Sequence, residues 1–301
     1  MKILCLGSLN IDRVYGVDAF VNEGETISAL SYNEFPGGKG LNQTIALARA
    51  GAQVYHAGKI GPDGIWLKDL LESEHVDVSN VIQGNRNTGH AVIQVNSLGK
   101  NCIIVTPGAN GSLTQADVDA ALDVLSPGDL MLVQNETSCV SYAIQKASKL
   151  RIKVVLNPSP ITPKLLEYPL ELVDYLILNE TEALMLTAGK SEKADGEELL
   201  KLVSARYPKA AIILTLGEKG SLAWCDGTVY RQQGYHVTAV DTTAAGDTYC
   251  GFLLADLMAG KSMPEAMDFA SRAAALAVTR HGAVPSIPLR EEVLRFTAGT
   301  P

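Results

Sequence analysis

The sequence predicts an α/β protein with a mostly parallel central sheet, helices on both of its faces, and a small inserted antiparallel β lid. Three observations predict this. Apolar, β-branched runs such as AVIQV, CIIVT, KVVLNPS and AIILTLG alternate with helix-like segments such as LNQTIALARAG, YAIQKASKL and DFASRAAALAVTR. Several of the runs, LMLVQ and YLILNE among them, are apolar throughout, as strands covered by helices on both faces are. Residues 13–35 and 88–105 break the rhythm, reading as strands and turns with no helix between them. The expected organisation is therefore a main domain of residues 1–12, 36–87 and 106–301, with a lid of residues 13–35 and 88–105.

Composition narrows the function classes. At 301 residues the chain can bury a large core, and a formal charge of -8 argues against wrapping a nucleic acid. No apolar run approaches the roughly 20 residues of a membrane helix, and MKILCLGSLN reads as a core strand rather than a signal peptide. The five cysteines are scattered without C-x-x-C spacing, so buried free thiols in a reducing cytoplasm are expected.

In chain order, the first strand runs into SLNIDR, where Asn10 and Asp12 either grip vicinal hydroxyls or form a turn-making Asx pair. FPGGKGLNQTIALARAG (35–51) is a glycine-rich loop entering a helix, but it is neither a Walker A loop nor a G-x-G-x-x-G fingerprint. Gly37, Gly38 and Gly40 suit either plain turn chemistry or close approach of backbone to a ligand, and Lys39 and Asn42 can bond hydroxyls. The second lid segment turns as a hairpin about Asn96 to Lys100. LNETEA (178–183) places Asn179, Glu180 and Glu182 beyond a buried strand, as a helix cap or as oxygen donors suited to Mg²⁺. LTLGEKGS (214–221) is a strand and a glycine-bounded turn.

YHVTAV (235–240) then reads as β, DTTAAGD (241–247) as small and polar, and TYCGFLLADLMAG as a helix with Gly260 just past its end. Helix-terminal amides have no intrahelical acceptor, and Ala-Ala-Gly lets an anion reach them. Asp247 there is either a carboxylate set against the helix dipole or a reacting group.

Together these stretches resemble the ribokinase-like, or PfkB, family of carbohydrate kinases, most closely its ribokinase branch. The resemblance spans nearly the whole chain: Asn10 and Asp12, GGKGLN at 37–42, Asn179 to Glu182, Thr215 and Gly217, DTTAAGD at 241–247 and TRHGAVPS at 279–286. It implies that Asp247 is the base taking the proton of a sugar's primary hydroxyl, with Ala244, Ala245 and Gly246 as anion hole. It further implies that Asn10, Asp12, Gly38, Lys39, Gly40, Asn42 and Glu136 contact the sugar, D-ribose foremost. Asn179, Thr215, Gly217, Gly220, Gly246 and Ser271 would line the ATP site, and Glu182 would organise Mg²⁺ through water. A monovalent cation, K⁺, would sit among Asp241, Thr243, Ala277, Arg280, Gly282 and Ser286, in part through main-chain carbonyls. The lid would close over the sugar and pair with a second subunit in a cytoplasmic homodimer. Leu41, where the family often carries Ala, and Arg13 beside Asp12 are departures expected to reshape the sugar pocket. The alternatives are a kinase for deoxyribose, a ketohexose or a nucleoside, or a sugar-binding regulator without turnover. An NAD-dependent oxidoreductase is disfavoured, since CLGSLN lacks the dinucleotide fingerprint.

Overall fold

The computed structural model describes residues 1–187 and 194–297. Its first half runs β1 (Ile3–Leu6), β2 (Asn10–Gly16), β3 (Ser31–Gly37), α1 (Lys39–Arg49), β4 (Val54–Ile60), α2 (Ile65–Ser73), β5 (Asp77–Gln83), β6 (Gly89–Val95), β7 (Asn101–Thr106) and α3 (Gln115–Leu122). There follow β8 (Leu130–Gln134), α4 (Val140–Lys149), β9 (Lys153–Asn157), β10 (Tyr175–Asn179), α5 (Glu180–Leu186), α6 (Gly196–Arg206), β11 (Ala211–Thr215), β12 (Ser221–Cys225) and β13 (Thr228–Gln232). The chain closes with α7 (Ala245–Met258), α8 (Met263–Ala277) and α9 (Arg290–Arg295).

The main sheet has the order β13-β12-β11-β10-β9-β8-β1-β4-β5 and is parallel except for the antiparallel edge made by β12 and β13. Two apolar clusters fill its two faces, one built on α1, α7 and α8, the other on α3, α4, α5 and α6. The central strands share a pattern that positions the site. Apart from Lys153, which opens β9, each is apolar or aromatic until its last residue, which is Gln134 in β8, Asn157 in β9, Asn179 in β10 and Thr215 in β11. Register pairs Gln134 with Asn157 and Asn179 with Thr215, so a polar row lies along the carboxyl edge, where open α/β sheets bind their ligands.

Helix α7 is apolar on nearly all sides and buried from Asp247 to Asp256, as a central helix must be. It crosses α1 closely: a Cβ on Gly251 would lie 2.8 Å from Leu47 N and collide with Ala46. Gly260, at φ 85, ends α7 as the expected left-handed glycine.

The second sheet has the order β3-β2-β6-β7. Its outer pairs are antiparallel, and β2 and β6 run side by side in parallel at its centre. Asn96 makes the β6–β7 turn, its Oδ1 accepting from the amides of Leu98 and Lys100 at 3.0 Å. The sheet extends past the expected lid limits, since β2 begins at Asn10 and β3 ends at Gly37.

Two expectations need correction. YHVTAV is no strand: the sheet ends with β13, and residues 235–240 run along α8, held by Val240 N–H on Val278 O at 2.7 Å. Its alternation of apolar side chains serves a cavity wall rather than a sheet face. Of the cysteines, all free, Cys5 and Cys250 are buried as expected, but Cys102 is exposed on the edge strand β7.

Candidate active site

Asp247 stands in the first turn of α7, only 7% exposed. The residue before the helix, Ala244, has φ 60, a left-handed conformation that a non-glycine residue adopts at a cost, and no side chain caps the turn. The Ala245 amide turns back to Thr242 O at 3.3 Å, and helical bonding resumes with Thr248 on Ala244 O at 2.8 Å. The amides of Gly246 and Asp247 therefore point out of the helix end, the position an anion fills. At Gly246 a Cβ would meet no atom within 4 Å, so the space beside these amides is open. Of the amides in this turn, Ala245 N–H is partly spent on Thr242.

The carboxylate is held from α1. Asn42 Nδ2 donates to Oδ2 at 3.0 Å and Gln43 Nε2 to Oδ1 at 2.8 Å. Asn42, expected against the sugar, is thus in the same group but bonded to Asp247, while its own Oδ1 is buried without a partner. Gln43 has further bonds to Gln134 and Asn157.

Above the first strand, Glu136 accepts from the hydroxyl of Ser8 and from Lys39 N–H, the latter at 2.9 Å. Burial, partly offset by Ser8 and Lys39, raises its pKa. The Lys39 ammonium is held charged chiefly by Asp247, against its own burial, with Glu136 and Glu182 assisting. Asn10 Oδ1 accepts from Asn110 Nδ2 at 2.7 Å. Gly37 and Gly89 leave room for this group: a Cβ on the first would strike the Asp12 carboxylate, and one on the second Asn10 Oδ1. Glycine in the loop is therefore demanded by the polar side chains opposite it.

Asp12 meets no protein donor among the described residues, and burial with help from Glu136 pushes its pKa up to about 6. The folded state thus holds this proton more tightly than the unfolded chain, so ionising Asp12 opposes folding as pH rises from about 4 through about 6. Asp12→Asn is expected to melt higher than the parent at pH 7.5 and to lose that advantage near pH 4, in paired melting curves. A half-buried carboxylate without a partner is a cost the fold alone does not require.

The two departures point away from this group. Leu41 is wholly buried in the core, and Arg13, on the opposite face of β2 from Asp12, pairs with Glu34 at 3.4 Å and Asp63 at 3.8 Å.

Two cavities adjoin at the α7 N-terminus. One, of about 480 Å³, is lined by Thr215, Gly217, Gly220, Tyr249, Ser271 and the 235–239 wall. The other, of about 250 Å³, is lined by Lys39, Asn157, Asn179, Glu182, Ala244 and Asp247. They share Thr215, Thr242, Ala245 and Gly246. Ser271 Oγ, buried and without a partner, belongs to the wall of the larger one. Gly220, at φ 97, packs against the end of β13, where a Cβ would lie 2.5 Å from Gly234 N. Asn179 and Glu182 form a capping box for α5, Asn179 Oδ1 accepting from Glu182 N–H at 2.9 Å and Glu182 Oε2 from Asn179 N–H at 3.0 Å. Capping and facing the cavity coexist, because Oε1 is not used in the cap.

The residues assigned to a cation lie together beyond the anion turn. Asp241 accepts from Thr243 N–H and from Gly282 N–H, each at 2.9 Å, tying the two loops. Ser286 Oγ donates to Ala283 O at 2.7 Å, and the Arg280 guanidinium is engaged by Glu292. Sequence reasoning missed Ser8, Gln43, Asn110, Gln134 and Asn157. The one local signal, for Gln134 and Asn157 alone, was a polar residue closing an apolar strand.

A carboxylate beside an open helix turn, where two cavities share a wall on the carboxyl edge of a parallel sheet, is the kind of place where α/β proteins bind small ligands. A model of the pfkB family carbohydrate kinases matches residues 1–290. The chain is 39% identical over 298 residues to the ribokinase of Haemophilus influenzae, covering 97% of this chain and 96% of that one. It is 35% identical to the ribokinase of Staphylococcus aureus, covering 97% and 98%. The structure of Arabidopsis thaliana ribokinase complexed with ribose and ATP superposes with a TM-score of 0.86 at 30% identity, covering 98% and 99%. The protein belongs to the pfkB family of carbohydrate kinases.

Proposed function

We propose that the protein transfers the γ-phosphoryl group of ATP to the primary hydroxyl of D-ribose, giving ribose 5-phosphate. The observation that carries this reading is the common wall of the two cavities: Gly246 lies in both, and Asp247 borders the smaller at that wall. The larger, mostly apolar cavity suits a nucleotide base, and the polar group of Asn10, Asp12, Lys39 and Glu136 suits sugar hydroxyls. Asp247 takes the hydroxyl proton as the phosphoryl group moves, while the Gly246 and Asp247 amides and Lys39 balance charge on it. Phosphoryl transfer is mostly positioning and charge stabilisation, so an unexceptional carboxylate suffices.

Glu182 Oε1 and the phosphates offer the hard oxygen ligands Mg²⁺ prefers, consistent with a metal held mainly through water. Mg²⁺ would neutralise phosphate charge. Asp241, Thr243, Gly282 and the carbonyls near Ala277 and Arg280 would hold K⁺ behind the anion turn; Arg280 can contribute only its main chain there. Replacing K⁺ with Na⁺ or a bulky organic cation is expected to lower kcat severalfold in an ADP-release assay, and unchanged activity removes this assignment.

The second sheet acts as a lid that excludes water from the reacting phosphate. Its edge strand β7 exposes Ile103, Ile104 and Val105, a surface suited to pairing with a second copy, which a sedimentation mass of twice 32.0 kDa would support. The decisive experiment is ADP release over a panel of pentoses, ketohexoses and nucleosides. Ribose should give the highest kcat/KM. Ribose binding by calorimetry with no ADP release would instead indicate a regulator.

A further inference from the structure

We propose that Asn157, Gln43 and Gln134 form a relay of side-chain amides that positions Asp247 for proton abstraction, Asn157 and Gln134 holding the two ends of the Gln43 amide and Gln43 the carboxylate. The inference rests on the kinase reading above, in which Asp247 is the base.

An amide side chain can turn end for end, and only its partners decide which end faces a neighbour. Here the decision starts from a group that cannot turn. The carbonyl of Ile177 only accepts, so Asn157 presents Nδ2 to it, at 2.8 Å. Asn157 Oδ1 then faces Gln43 and accepts from its Nε2 at 3.1 Å. The same Nε2 donates to Asp247 Oδ1 at 2.8 Å. Gln43 Oε1, on the other end, accepts from Gln134 Nε2 at 2.6 Å. Every bond agrees with one orientation of all three amides, and reversing Gln43 would set its carbonyl against the carboxylate. Both glutamines are 1% exposed, so water cannot substitute for either partner.

The arrangement costs stability. Gln134 Oε1 is buried without a partner, and it fits only because Gly7 has no side chain: a Cβ there would lie 2.6 Å away. An apolar residue at 134 would remove that orphan only by leaving Gln43 Oε1 without its donor. With Asn42 on Oδ2, Gln43 pins both oxygens of Asp247 from α1 and leaves their remaining lone pairs toward the smaller cavity.

The charged and titratable groups facing Asp247 are Lys39 on α1, Glu136 after β8, Cys5 on β1 and Cys250 on α7 itself. Of these, only Cys5 touches the relay, accepting from Gln134 Nε2 at 3.5 Å, so Gln43→Glu, which leaves that contact in place, is the variant whose shift isolates the relay.

The test uses Gln43→Glu and Gln134→Leu with ribose and ATP as probes, following kcat, both KM values, the pH profile of kcat and the melting temperature. Gln43→Glu keeps the size and the acceptor for Gln134 but opposes Asp247 with a second carboxylate; its acid limb should move up by about one pH unit or more. Gln134→Leu removes the donor to Gln43 Oε1, leaving Gln43 held only through Nε2 and free to shift, and should lower kcat roughly 10- to 100-fold with KM values little changed. A lower melting temperature in either variant, with kcat and the acid limb at the parent's values, shows packing alone and overturns the relay. A parent that phosphorylates no sugar overturns the kinase reading, and the relay with it; an active parent with unaffected variants overturns the relay only.

Discussion

Asp247→Asn is expected to lower kcat for sugar phosphorylation by about 10²–10⁴-fold, the span attributed to a positioned general base, while the KM for ATP changes little. The separation follows from geometry. Asp247 borders the smaller cavity, and the larger one is walled by residues of α8 and the 235–239 run that the substitution leaves alone. The variant should fold. Asparagine keeps the size of aspartate, and although its amide nitrogen must face one of the two donors, Asn42 can turn to offer the Oδ1 that is now unpaired. Asp247→Ala is a harsher probe, since it strands the amides of Asn42 and Gln43 at a cost of about 1–3 kcal/mol for each unpaired group. Single-turnover kinetics read the chemical step directly, and an Asp247→Asn protein with near-parental kcat would sink the assignment of the base.

Gly40→Ala is expected to destabilise the protein by about 1–3 kcal/mol or more, as overpacking against immobile atoms does. A Cβ at Gly40 would lie 2.6 Å from Gly7 Cα and strike the main chain of Ser8, so no side chain can swing aside to receive it. The consequence reaches the site, because the start of α1 carries Lys39, Asn42 and Gln43, and displacing it withdraws both donors from Asp247. Gly246→Ala is the matched opposite. Its Cβ meets no protein atom within 4 Å, and alanine suits a helix better than glycine by about 0.5–1 kcal/mol, so the melting temperature should hold or rise. Its kcat should nevertheless fall about tenfold or more, because the methyl group occupies the space beside the anion-binding amides. Chemical denaturation and ADP release on the two variants separate a glycine kept for the fold from one kept for the ligand.

Much of this was legible locally. A junction of small residues and a carboxylate before an apolar helix predicts an open helix turn with an acid in it, because helix ends leave amides unpaired whatever surrounds them. Asn179 and Glu182, three residues apart, predict a capping box, and one is present. The alternating runs predict the layered fold, since continuous apolar strands need cover on both faces. YHVTAV misled for the converse reason: alternation of apolar and polar residues does not say what they face, and here Tyr235, Val237 and Ala239 line an open cavity beside α8 and none of the six is buried.

By itself, then, the sequence determined most of the elements, the glycine-rich approaches and the presence of an acid at the open helix turn, all consequences of residues within a few positions of one another. Tertiary structure alone decided that Gln43 meets Asp247 across 204 positions and Gln134 across 91, that Arg13 faces away from Asp12's neighbours, and that Gly37 and Gly89 exist to clear polar side chains. Hydrogen bonds and steric exclusion act over a few ångströms of space, and only the folded chain sets which distant residues come that close.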